Sequence, residues 1–159
     1  MKRLLATTVA LMTASAAYAQ QVEITWAGIY TADSGVTHVG TNGITSDNIS
    51  NVHLAANTAD IPMQEGVRFG VQYRLTEVPG ETVVNLRKIM RFPAPGLIPP
   101  STGVRVPSNE TVIHCVLGRV CMTGYQLTDP WEMVPGTWKI EIWSADRKLA
   151  EQSFNISAK

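Results

Sequence analysis

Along much of the chain, apolar and polar residues alternate with a period of two, the pattern of a strand with one buried face. The clearest run is Val67, Phe69, Val71, Tyr73 and Leu75, interleaved with Arg68, Gly70, Gln72 and Arg74. Val22, Ile24 and Trp26 alternate with Glu23, Thr25 and Ala27. Val84, Leu86, Met90 and Phe92 share a face that Lys88 interrupts, so Lys88 is expected to snorkel or to lie at an edge. Trp138, Ile140 and Ile142 alternate with Lys139, Glu141 and Trp143, and Phe154 and Ile156 share a face on the last strand. The residues expected to meet in one core are Val67, Phe69, Val71, Tyr73, Trp138, Ile140 and Phe154.

Turn chemistry separates these runs. Pro79-Gly80 and Pro135-Gly136 suit the centre of a type II turn, with proline setting φ and glycine accepting a positive φ. Ala145-Asp146-Arg147 reads as a hairpin connection. Residues 31–48, rich in Gly, Thr, Ser, Asn and Asp, read as loop with one short strand around Val36 to Val39. Residues 93–107 carry Pro93, Pro95, Pro99, Pro100 and Pro107. Proline lacks a ladder donor, so this segment is expected to be a long connection with polyproline-like stretches. No long amphipathic helix is apparent. The reading is all-β: an immunoglobulin-like two-sheet β-sandwich of about seven strands, with a small β-barrel as the alternative.

The first residues, MKRLLATTVALMTASAAYAQ, place Lys2 and Arg3 before an apolar run that ends in Ala17-Tyr18-Ala19. That order predicts a secretory signal peptide over 1–19, cut after Ala19, and a single domain over 20–159. The apolar run falls short of the roughly 20 residues a membrane span needs, and no later stretch is longer. Basic and acidic residues balance at 13 each; Lys2 and Arg3 leave with the leader, so the mature domain is slightly acidic. No clustered basic face points to nucleic acid. The expected setting is periplasmic or secreted.

The C-terminal segment PWEMVPGTWKIEIWSADRKLAEQSFNI, residues 130–156, carries a Pro-Gly turn, an aromatic-alternating strand, a polar turn and a closing Phe-x-Ile strand. Together with ITWAGIY (24–30), GVRFGVQYRL (66–75) and RFPAPGLIPP (91–100), it resembles a family of short exported bacterial proteins, domain of unknown function 3859. The resemblance implies an all-β fold outside the cytoplasm across nearly the whole mature chain. It supplies no activity and no site residues.

Three groups of residues have chemistry worth weighing. Asp33-Ser34-Gly35 matches the core of an aspartic-protease loop, and Asp33, Ser34 and His38 could form a triad. The first needs a second, matching carboxylate and the second a nucleophile elbow, and neither is apparent. His114, Cys115, Cys121 and Met122 are soft ligands suited to Cu(I). An exported chain meets oxidising conditions, however, so a Cys115–Cys121 disulfide closing a short hairpin or turn is preferred. Trp143 points away from Trp138's face and is either packed or exposed; packing is preferred, because large apolar groups seldom stay in water.

These observations favour an exported, non-enzymatic binding or accessory domain of the bacterial envelope. A hydrolase using the Asp33–His38 loop and a copper-handling protein are the alternatives. No catalytic residue, metal or cofactor is assigned. The expected partner is an envelope protein or glycan. The proline-rich segment, with Phe92, Leu97, Ile98 and Val104, is the candidate contact surface, against the reading that it caps the open end of the sandwich.

Overall fold

The alternating runs become paired strands in a computed structural model that describes residues 21–76 and 83–158. The cleavage site after Ala19 and the Pro79-Gly80 turn lie outside the described residues. In chain order the strands are β1 (Gln21–Val39), β2 (Thr45–Asn57), β3 (Asp60–Pro62), β4 (Arg68–Thr76) and β5 (Val83–Arg91). They are followed by β6 (Ser108–Val116), β7 (Val120–Gln126), β8 (Gly136–Ser144) and β9 (Arg147–Ser157), with one 3-10 turn at Pro130–Glu132. One sheet has the order β2-β1-β4-β7 and the other β3-β9-β8-β5-β6. All neighbours are antiparallel except β3 and β9. Neither sheet closes on itself, so the molecule is a sandwich and not a barrel.

The core lies where the alternation placed it. Phe69, Val71, Tyr73, Trp138, Ile140 and Phe154 are almost wholly buried, and Val67 packs against them. Phe69, Phe92, Tyr125 and Trp138 form a set of tilted and edge-on ring contacts with centroids 5.0–6.2 Å apart. On β1 a bulge between Ile24 and Trp26 reverses the pattern: Ala27 and Ile29 follow Ile24 on the core side. Trp26, expected inside by strict alternation, pairs with Gln72 on the other face.

The strand total differs from the expected seven in part because residues 31–48, expected to be loop with one short strand, are mostly strand: all but 40–44 belong to β1 and β2. β1 continues to Val39, turns, and returns as β2, with register shifts at three places. These strands carry few apolar residues because both faces are largely wet. Their ladder is made by main-chain groups, which leave no trace in hydropathy.

The hairpin they form is an arm whose tip is fastened. Ile44 is buried in the core, and Asn42 Nδ2 donates to Asn109 Oδ1 on β6 at 2.8 Å. Gly43 sits at φ +80°, where a side chain would strike Pro99 and Ser101. Glycine therefore allows both the turn and the close approach.

The proline-rich segment is ordered rather than polyproline-like. Leu97 and Val106 exchange main-chain hydrogen bonds of 2.9 and 2.7 Å, and Phe92 N–H donates to Pro107 at 3.0 Å. This corrects the contact-surface expectation in part. Phe92 and Leu97 are core residues, while Ile98 and Val104 are exposed. The prolines and glycines turn the segment back on itself, so alternate side chains fall inward.

Cys115 and Cys121 form a disulfide with Cα atoms 5.7 Å apart, within the usual 4.4–6.8 Å. The expected hairpin is not one within a sheet: β6 and β7 are the edges of opposite sheets, so the bridge ties the two layers together. The closed loop is short, and its removal should cost about 2 kcal/mol by loop-closure entropy. Chemical denaturation of a Cys115→Ala, Cys121→Ala variant against the oxidised protein measures this. A loss above about 4 kcal/mol would show that the bridge holds the sheets in some further way.

Candidate functional site

The arm, fastened at its tip, encloses a cleft against the edge strands of both sheets. The cavity is about 730 Å³. Tyr30, Ser34 and Thr37 line it from β1, and Thr45 to Ile49 from β2. Asn109 and Thr111 to His114 line it from β6, and Met122 to Gln126 from β7. Arg68 of β4, Lys88 of β5 and Thr128, just after β7, complete it.

The two cations are held differently. Arg68, polar by alternation and expected at the surface, is only 5% exposed because the arm covers it. Its guanidinium reaches both Asp47 carboxylate oxygens, at 2.8 and 3.4 Å, and donates to Ser34 Oγ at 2.5 Å. Burial acts to raise the Asp47 carboxyl pKa, but the bonds and charge of Arg68 outweigh it and hold the group below 3.8.

Lys88 neither snorkels out nor lies at an edge; it is 7% exposed, on a strand flanked by β6 and β8. Among the described residues its Nζ makes one hydrogen bond, to Gly124 O at 3.1 Å. Burial pushes its pKa from 10.5 down to about 8, with Asp47 opposing. Directly across the ladder from Lys88 stands Thr111, whose buried hydroxyl has no partner among the described residues. Tyr30 is also buried, with its pKa pushed up to about 12 by burial.

A lysine whose folded pKa is depressed favours the folded state in its neutral form. Between pH 8 and 10 the unfolded chain keeps the Lys88 proton and the folded chain loses it, so stability should rise with pH. Above about pH 10 the rise should reverse, because Tyr30 and Tyr73 ionise freely only when unfolded. Urea midpoints of the wild type and Lys88→Met across pH 7–10 test this. A slope that is the same in both would reject it.

The motifs picked out in the sequence are separated or consumed. Asp33 is exposed and accepts from Asn51 Nδ2 at 2.7 Å. Ser34 faces Arg68, a donor that cannot act as its base. No hydrogen bond among the described residues joins Asp33, Ser34 and His38, so the triad is not assembled. The copper reading loses both thiols to the disulfide. His114 Nδ1 instead lies 2.7 Å from Asn85 Oδ1. Trp143 is half-buried. Its indole N–H donates to Glu141 at 2.9 Å, and the Arg87 guanidinium lies 5.9 Å from its ring centroid. This polar packing holds the ring and covers one face.

The family profile of Domain of unknown function (DUF3859) matches residues 19–156. The chain belongs to this family. A solved immunoglobulin-like protein from Pseudomonas aeruginosa is similar to the DUF3859 chain over 90% of its length and 100% of that protein's. The two are 25% identical, with a TM-score of 0.61. No curated protein matches the sequence. The immunoglobulin-like likeness of this DUF3859 domain agrees with the two-sheet topology. Nothing in the sequence marks Lys88 and Thr111 as a pair, because their opposition arises from the β5–β6 register. The available signal was a lysine breaking an otherwise apolar strand face.

Proposed function

We propose that this DUF3859 chain is an exported, non-enzymatic binding domain of the bacterial envelope whose ligand enters the cleft beneath the β1–β2 arm. One observation carries the reading. A lysine ammonium more than nine-tenths buried opens on a cavity of small-molecule size while the described residues supply it a single carbonyl. An ion so placed costs stability unless something else meets it. Natural cores rarely keep such a group without a use, and binding sites are where stability is given up for function.

Support for export comes from the signal-peptide pattern and from the disulfide, which persists in oxidising compartments. The intact mass of protein released from the periplasm should begin at Gln20. A mass retaining Met1 to Ala19 would overturn the export reading.

Binding is tested by mapping amide shifts while envelope-derived sugars and peptides are added. Perturbations should centre on Lys88, Thr111 and Gly124 and should vanish in Lys88→Met. Perturbations centred elsewhere, or unaffected by that substitution, would place the site outside the cleft.

A further inference from the structure

The geometry points to a ligand that carries a carboxylate, received by the Lys88 ammonium together with the Thr111 hydroxyl. This rests on the reading of the cleft as a binding site and specifies what enters it. Lys88 and Thr111 are directly opposed across the β5–β6 ladder. Opposed residues share a face with Cβ atoms about 4.5–5.5 Å apart, so one small group can touch both side chains. An ammonium has three N–H donors. One goes to Gly124 O at 3.1 Å; among the described residues this leaves two, and the Thr111 hydroxyl, without a partner among them, adds another.

The charge balance gives the sign. Among the lining residues, Arg68 and Lys88 are cations and Asp47 is the carboxylate. Asp47 is taken up by Arg68, and Lys88 feels it only at a distance. The cleft therefore has a cation in excess, although the mature domain is slightly acidic. A carboxylate supplies one negative charge and lone pairs for two N–H groups and one O–H. A phosphate dianion asks for more charge, and the guanidinium that would give it is committed to Asp47. The cavity is far larger than a carboxylate. The acid group is thus one end of a polar molecule, the rest of which faces the hydroxyls and amides of the arm and β7.

The proton inventory sets the pH dependence. Facing Lys88 across the cleft are Asp47 of β2, Arg68 of β4, Tyr30 of β1 and Tyr125 of β7; His114 of β6 stands opposite Asn85, on the other face of that sheet. Burial keeps both tyrosine hydroxyls protonated through the working range, and Arg68 keeps Asp47 ionised. Affinity for a carboxylate should therefore be lost as Lys88 gives up its proton above neutrality.

The test follows the ε-carbons of 13C-labelled lysines in the protein purified from the periplasm. Acetate and glucuronate are the probes, glucose is the neutral counterpart of glucuronate, and inorganic phosphate is the competing anion. Expected results are a saturable shift of the Lys88 resonance with both carboxylates, an upward shift of its titration, and no response to glucose. Lys88→Met should lower glucuronate affinity by roughly tenfold or more while the protein stays folded, and Thr111→Val should lower it by a smaller factor. Equal binding of glucose and glucuronate, with shifts centred on the cleft residues and lost in Lys88→Met, would overturn the carboxylate and leave the cleft reading standing. Phosphate binding tighter than either carboxylate would also overturn it. No movement of any cleft resonance with any probe would reject the carboxylate and the cleft reading together.

Discussion

Truncating Trp138 to alanine is expected to lower stability by about 3–5 kcal/mol, enough to unfold a large fraction of an ordinary domain. The indole is fully buried on β8, and its rings meet Phe69, Phe92 and Tyr125 from the opposite sheet and the proline-rich segment. Its N–H donates to Val134 O at 3.0 Å, tying the strand to the chain that leads into it. Alanine would leave a cavity bounded by three aromatic rings that cannot all move in, because each is held by other neighbours. An Ile98→Ala control, on an exposed side chain, should cost less than about 0.5 kcal/mol. Guanidinium denaturation of both variants measures the difference. A Trp138→Ala protein with the wild-type midpoint would mean that the core is not built around this ring.

A comparable loss, about 3–5 kcal/mol, is expected for Glu132→Ala, although the residue is acidic and looks like surface. Glu132 is 2% exposed at the end of the 3-10 turn. One carboxylate oxygen accepts from the Tyr125 hydroxyl at 2.5 Å. The other accepts from the main-chain N–H groups of Thr128 and Asp129, at 2.6 and 3.0 Å. Removal orphans three donors in a nearly dry site, at roughly 1–3 kcal/mol each before relaxation. Tyr125→Phe, which removes one of them and keeps the ring, should cost only about 1–2 kcal/mol. Denaturation midpoints of the two variants decide. A Glu132→Ala loss no larger than that of Tyr125→Phe would show that water replaces the carboxylate.

Glu132 also marks a limit of sequence reading. A buried carboxylate and a solvated one are the same letter; they differ only in whether donors converge on the site, and Tyr125 and Asp129 converge through the path of the loop. Lys88 is the mirror case. Its place in an apolar alternation showed that something was unusual on β5, yet snorkelling and an edge position fitted equally well. The actual position, buried between neighbouring strands and aimed at Gly124 of the other sheet, depends on how β5 and β7 come to face each other.

By itself, the chain determined the features that follow from local periodicity and turn chemistry. The alternation at 67–75 and 138–142 named the core, because a pleated strand sends every second side chain to the same face. Two cysteines six positions apart with Gly118 between them could meet, and they do. Tertiary structure decided the rest. The β1–β2 arm has no amphipathic signature, since its ladder is main-chain pairing between wet faces. A single bulge moved Trp26 off the core face, and one inserted residue is invisible in hydropathy. The arm's docking through Asn42 and Ile44 created the cleft, which joins residues from six strands that lie far apart in sequence. Proximity of that kind is a property of the packed sheets, and no window along the chain contains it.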